Sequence, residues 1–329
     1  MKCQLPTACL LLAAIFLLVA APARACPIPV FQYALEWWES DPYEVFVFHD
    51  EDLSEAEHTA IKLLHDASSE DGSVKANLLF EGPIRAPEDG LLEHPALAGR
   101  PESLPWMVVN YPATGPGAAR RLWSGSFTKD NVCALLDSPL RRDMALMLSG
   151  GVSTVWVLLE SGIARKDDAA AALLREELAG LQETLTLPDP ASWGWDDIVI
   201  APIEFDMLRV SRSDEDERIF INMLLNSEID LVDYNDEPIV FPVYGRGLIL
   251  YALVGRGIND WTIRDAADFL VGPCSCTVKR LNPGTDLLIS FDWAKQVTPL
   301  SREFVTEPAG VGGFLHRMDE ADERLSREP

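Results

Sequence analysis

Cys274 and Cys276 stand one residue apart in "FLVGPCSCTVKRLNPG" (269–284), just after a run that reads as the end of a helix. In an extended chain, residues i and i+2 face the same side with Cα atoms ~7 Å apart. That spacing is at the upper edge for an unstrained disulfide, so a bond between the two needs a turned backbone and is comparatively reducible. Two thiolates on one side also suit a soft ion such as Cu(I). A third arrangement uses Cys26, which in an oxidising compartment can bridge to either of them and tie the mature N-terminus down. The sequence leaves these three readings open. Cys133, beside Val132 in a helical pattern, reads as a lone, half-buried thiol.

Other residue types with chemical potential do not converge. His49 is the most site-like histidine, at a strand end beside Asp50 and Asp52, while His58 and His65 lie two helical turns apart. No H-E-x-x-H or zinc-ligand spacing occurs. "GRGLILYALVGRG" lacks the Lys-Ser/Thr and the strand-to-helix setting of a phosphate loop. Neither Ser149-Gly-Gly nor Ser124-Gly-Ser sits in a nucleophile elbow. The tryptophans at 37, 38, 106, 123 and 156 read as core. Those of "PASWGWDDI" (190–198) lie in an insertion, packing its own core or facing a partner.

The first 25 residues, "MKCQLPTACLLLAAIFLLVAAPARA", carry a positive start, an apolar run and a small-x-small end, the pattern of an export signal. Cleavage after Ala25 places Cys26 first, so a periplasmic or extracellular protein is expected, with a lipid anchor at Cys26 as the alternative to a plain cut. No later stretch has the length and lack of charge of a membrane span. The chain has 52 acidic and 27 basic residues, net −25. Such a surface repels nucleic acid and anionic lipid. It permits diffuse, low-affinity calcium binding, although no EF-hand-type loop is present. No cofactor is implied.

Periodicity then sets out the elements that must position these groups. "PVFQYALEWW" (29–38) is helical and "YEVFVFH" (43–49) a strand. "LSEAEHTAIKLLHDAS" (53–68) is a helix opened by a Ser54/Glu57 capping box. "VKANLLF" (74–80), "PWMVVNY" (105–111) and "ARRLWSG" (119–125) are strands, with a short helix near 93–98, and "TKDNVCALLDS" (128–138) closes this half. The second half repeats the order, with helices at 139–150, 166–185, 215–227 and 260–272 and strands at 152–160, 204–212 and a hairpin over 238–255. Asn282 and Pro283 read as the start of another short helix, and the tail from about 299 as peripheral. The expected organisation is a leader over 1–25, domains over 26–138 and 139–272, and a C-x-C segment and tail over 273–329. Each domain is an α/β sandwich with two parallel strands, an antiparallel pair and helices on the faces.

This order, together with "LPWMVVNY" followed by "WSGSFTKDNVCALLD", resembles the thioredoxin fold, here as two tandem copies over residues 28–272. In that family a proline, usually cis, opens the third strand beside the active site. The resemblance assigns that place to Pro105 in the first copy and to Pro238, or less well Pro242, in the second. Catalytic members carry C-x-x-C where the first strand meets the next helix, whose N-terminus stabilises the thiolate. The matching stretches here, "FHDEDLSEAEH" (48–58) and "LESGIARKDDAAA" (159–171), contain no cysteine. Carboxylates at a helix start cap it and disfavour a thiolate. The resemblance therefore implies a non-catalytic module that holds a protein or peptide, with thiol–disulfide or Cu(I) handling through Cys274/Cys276, and acidic calcium binding, as rivals.

Overall fold

The computed structural model describes residues 27–86, 94–97, 101, 103–113, 120–193, 198–274, 279 and 282–300. The expected export signal, Cys26, Cys276 and the tail beyond 300 lie outside them; of the short helix expected near 93–98, residues 94–97 are described and form a turn instead. The described chain forms two α/β sandwiches, each built on its own mixed sheet.

In the first sheet, β1 (Tyr43–His49) is flanked by a broken edge, β2 (Leu78–Leu79) and β3 (Pro83–Arg85), both parallel to it. The register gains one residue between Glu44↔Leu79 and Val47↔Pro83, and Gly82, with φ 131°, lies in that bulge. On the other side β4 (Trp106–Asn110) runs antiparallel to β1, and β5 (Arg121–Ser126) antiparallel to β4. The second sheet repeats this: β6 (Thr154–Glu160) pairs in parallel with β7 (Phe205–Ser211) and antiparallel with β8 (Ile239–Tyr244), and β9 (Leu248–Ile249) continues antiparallel. The strand expected over 247–255 is interrupted. Leu250 donates to the Pro242 carbonyl, but Pro242 has no N–H to return, and pairing resumes only at β10 (Leu253–Val254).

Helices α2 (Glu55–Ser68), with the expected capping box, and α3 (Lys129–Leu136) cover the first sheet. The second is covered on one face by α4 (Pro139–Ser149) and α6 (Arg218–Leu225), and on the other by α5 (Ala164–Thr184) and α7 (Asp260–Val271). β6 is therefore buried on both faces: Val155, Val157 and Leu159 face one cluster, Trp156 and Leu158 another. The first of these clusters also contains Tyr43, Val45, Val47 and Leu64 from the first unit, so one core runs through both sandwiches.

Two segments depart from their expected places. The opening helix α1 (Val30–Trp37), read as part of 26–138, packs on the second sheet. Phe31, Ala34 and Trp38 share a cluster with Leu174, Ala267 and Leu270. Its N-terminus pairs with the end of α7: Val30 N–H donates to Gly272 O (3.0 Å), Cys274 N–H to Ile28 O (2.8 Å), and Pro29 bridges Pro273. Its C-terminal carbonyls at Leu35 and Glu36 accept from Arg246 (2.9 and 3.0 Å), a cation at the negative end of the helix dipole.

The second departure is at Asn282–Pro283, where no helix starts. Instead β11 (Thr285–Asp286) adds to β9, and residues 287–290 run extended between the two units before α8 (Trp293–Gln296). Asn77 donates to Leu287 O and accepts from Ile289 N–H, and Ser290 bridges Ala76. Buried Arg141 donates to Leu288 O (2.9 Å) as well as to Leu135 O and Ala134 O. Burial of Leu287, Leu288 and Ile289 in the shared core outweighs the local helix-start signal.

Candidate functional site

The two strand–helix junctions are where the resemblance looks for chemistry. In the first unit β1 ends at His49, and the chain passes through Asp50, Glu51 and Asp52 to the Ser54 cap. Ser54 Oγ accepts from Glu57 N–H (3.3 Å) and Ser54 N–H donates to Glu57 Oε2 (2.6 Å), which satisfies the helix start internally. Asp52 pairs with Arg85 at 3.0 Å, but both side chains are exposed and such a pair adds little stability. His49 Nδ1 contacts Glu51 O (2.8 Å). The Leu104–Pro105 peptide is cis, and the register Phe48↔Trp106 brings Pro105 level with His49, beside the junction.

The second junction is more tightly built. Asp167, in the first turn of α5 and 3% exposed, accepts from Ser161 N–H (2.8 Å), Ser161 Oγ (2.8 Å) and Gly162 N–H (3.0 Å). The loop amides of the junction thus already hold an anion, the carboxylate of the helix itself. The register Leu159↔Ile239 brings Pro238 level with Glu160. Arg209 bridges Glu160 (2.6 Å) and Asp168 (3.1 Å). Arg212 donates to Glu160 O, Tyr234 O and Glu237 O; burial lowers its pKa, with Asp167 and Asp236 opposing. Lys166 Nζ reaches Asp236 O and Glu237 Oε1 (2.6 and 2.7 Å), and Gly255 N–H donates to Pro238 O (2.9 Å). The end of β6, the approach to β8 and the turn after β10 are thereby joined into one rim.

Neither junction contains a cysteine, and the Ser54 and Ser161 hydroxyls donate to Glu57 and Asp167. Asp167, Lys166, Arg209 and Arg212 are engaged with neighbouring side chains or with backbone, which fixes the surface of the second junction. Among the described residues no group of three or more His, Cys, Asp and Glu side chains is placed to hold a metal ion.

Cys274 is 1% exposed, in an apolar cluster with Val30, Tyr244 and Val271. Such burial blocks attack on or by the sulfur. Its neighbours in the sequence reading, Cys276 and Cys26, lie outside the described residues. Cys133, read as half-buried, is exposed, because α3 turns Val132, Leu135 and Leu136 inward instead.

Sequence reasoning missed three groups. Asp286, a lone acid ahead of an apolar run, is 6% exposed and bonded to Lys279 Nζ (2.5 Å) and Asp41 N–H (3.2 Å). Burial raises its pKa to about 6 against the pull of Lys279. A cleft of about 200 Å³ lies at the foot of α1, where Glu36, 5% exposed, accepts from Gln32 Nε2 and Leu300 N–H. Of the residues weighed from the sequence as candidate chemistry, it is lined by Ser149, Gly150 and Gly151 of the Ser-Gly-Gly run. Trp261 is 69% exposed; the inward spacing Ile263, Ala266, Ala267, Leu270 already leaves it on the outer face of α7.

Compared with models of known protein families and with curated proteins, the chain matches none. Among the described residues no helix is long and apolar enough to cross a membrane.

Proposed function

We propose that this is an exported, thioredoxin-like tandem protein whose units have no thiol chemistry of their own and serve to hold an extended protein or peptide segment. The strand order second–first–third–fourth, with the first two parallel and the others antiparallel, occurs in both sheets and supports the family reading. A proline stands level with the end of the first strand in each.

The observation that carries the binding reading is the rim of the second unit. Three separate segments meet there, locked by Arg212, Lys166 and Asp167, and among the side chains left exposed on it are the apolar Ile163 and the aromatic Tyr234. A pre-ordered rim of this kind loses little entropy when a strand-like ligand settles on it. Burial of Cys274 weighs against the rival in which the C-x-C thiols act.

Peptides selected from a displayed library on the mature chain should protect residues 161–163 and 234–238 from hydrogen exchange. Protection confined to other segments, or disulfide-reductase activity abolished by Cys276→Ser, would overturn the proposal.

A further inference from the structure

The second unit presents a larger unpartnered surface next to this rim. Ile229 is 82% exposed and Trp261 69%, with Val232 and Tyr234 exposed between them in the chain. A hydrogen bond ties the loop that carries Ile229 and Val232 to the segment leading towards α7. Ala252 N–H donates to Glu228 Oε1 (2.7 Å), which fixes the Ile229 loop against the segment after β9. Burial and the neighbouring Asp265 of α7 raise the pKa of the adjoining Tyr251, and Trp261 lies one turn before Asp265 on the same helix face. Leu231, 1% exposed, anchors the loop from beneath, so Ile229 and Val232 are held outward rather than free to fold in. Large apolar and aromatic side chains held outward on neighbouring segments have the composition of a recognition surface and are unfavourable to leave in water.

Its charge selects the partner. "EIDLVDYNDE" (228–237) contains five carboxylates and no cation, and α7 adds Asp260, Asp265 and Asp268. Only Arg256 and Arg264 stand against them on these elements, since Arg212 and Lys166 are turned onto carbonyls and Glu237. This rim repels nucleic acid and anionic lipid. It also opposes a second copy of the chain, because a two-fold contact would set the rim against itself.

We propose that the face formed by residues 228–236, Tyr251 and the start of α7 docks a basic, apolar polypeptide segment, with Ile229 and Trp261 as anchors and the surrounding aspartates supplying steering and selectivity. The inference rests on the binding-module reading and names the chemistry of its partner.

It is tested by fluorescence anisotropy of the full mature chain with a short labelled peptide alternating Leu with Lys. Two matched peptides replace Lys by Glu or Leu by Ser. The Leu/Lys peptide should bind, and each control should bind at least about tenfold more weakly. Raising NaCl from about 0.05 to about 0.5 M should cost about tenfold. Trp261→Ala and Ile229→Ser, both at exposed positions and checked for unchanged circular dichroism, should each weaken binding by about tenfold or more. Asp230→Lys with Asp233→Lys should do the same, while the remote pair Glu70→Lys with Asp71→Lys should not. Equal losses from the near and remote charge reversals would show general attraction to an acidic protein and overturn the proposal. Unchanged binding by Trp261→Ala would also overturn it. Binding that ignores Ile229 and Trp261 yet protects residues 161–163 would sink this surface alone. Absence of binding by every peptide would sink the binding-module reading with it.

Discussion

Asp286 offers the most quantitative test of how the units are joined. Its carboxylate is buried where β11 meets the first unit, with Lys279 Nζ at 2.5 Å and the Asp41 amide at 3.2 Å, while Tyr43 donates to its backbone carbonyl (2.6 Å). Desolvation outweighs the lysine and lifts the pKa from 3.8 to about 6. The folded protein therefore holds this proton more tightly than the unfolded chain does. Between those two values the native state binds the extra proton, so stability falls as pH rises through the window and levels off above it. The shift corresponds to about 3 kcal/mol in total, of which about 2 kcal/mol falls between pH ~4.5 and ~7. Other carboxylates titrate in the same range, so the comparison is with Asp286→Asn. That variant keeps an oxygen for the Asp41 amide, and Lys279 retains Glu39 O (2.6 Å) and Asp41 (3.3 Å). Urea unfolding of both proteins across this range should show the wild type losing about 2 kcal/mol relative to the variant as pH rises, about 1 M in midpoint. Parallel curves would mean that Asp286 is charged throughout and that the seam is wetter than its burial indicates.

Two further perturbations probe the attachment of the N-terminal segment. Gly245 has φ +59°, and a Cβ there would stand 2.7 Å from that of Ala34. Gly245→Ala should cost about 2–4 kcal/mol in urea unfolding, from the left-handed backbone and the clash with α1. Ala34→Gly should recover at least about 1 kcal/mol of it in a double-mutant cycle; strict additivity would refute the close approach. The pairing of Pro29 with Pro273, and of Ile28 with Cys274, seats Cys274 against the chain leading into α1, where it is 1% exposed, whereas Cys133 is exposed on α3. Alkylation of the native protein should accordingly label Cys133 and leave Cys274 unlabelled. Labelling of native Cys274 as fast as Cys133 would refute that seating.

The elements that local chemistry dictates were legible in the sequence. β1 alternates Tyr43, Val45 and Val47 inward, and its bounds match the expected 43–49; Ser54 with Glu57 marks the start of α2; Asn259 caps α7. Two mixed sandwiches follow from the order of such elements. Features set by distant partners were not legible. The apolar face of α1 is the same whichever sheet it covers, and its seat is decided by Gly245 and Arg246, some 210 residues away. The hairpin over 238–255 was readable, but its break at Pro242 required knowing which side of β8 faced β9. At the candidate site, the absence of cysteine from both junctions was visible at once. The engagement of Arg212 with three carbonyls was not, because nothing local distinguishes it from a solvated arginine.

The two ends of the described chain bear on how the units depend on one another. α1 belongs to the second sheet, although the whole first unit separates it from the rest of that sheet in sequence. Residues 287–290 leave the second sheet and return to the first, filling the space between Tyr43, Asn77 and Arg141. The first unit is thus spliced into the second and then clasped by it. A cut near residue 138 would separate α1 from its seat and expose Val30, Phe31, Ala34 and Trp38 on one fragment and their partners on the other. Burying four such side chains is worth several kcal/mol, a large part of a typical domain's net stability. The sandwiches therefore resemble each other as folds without being independent as folding units. The same interlocking explains how loops at the far rim can carry exposed Trp261 and Ile229: the second sheet beneath them is buried on both faces and gripped from both ends of the chain.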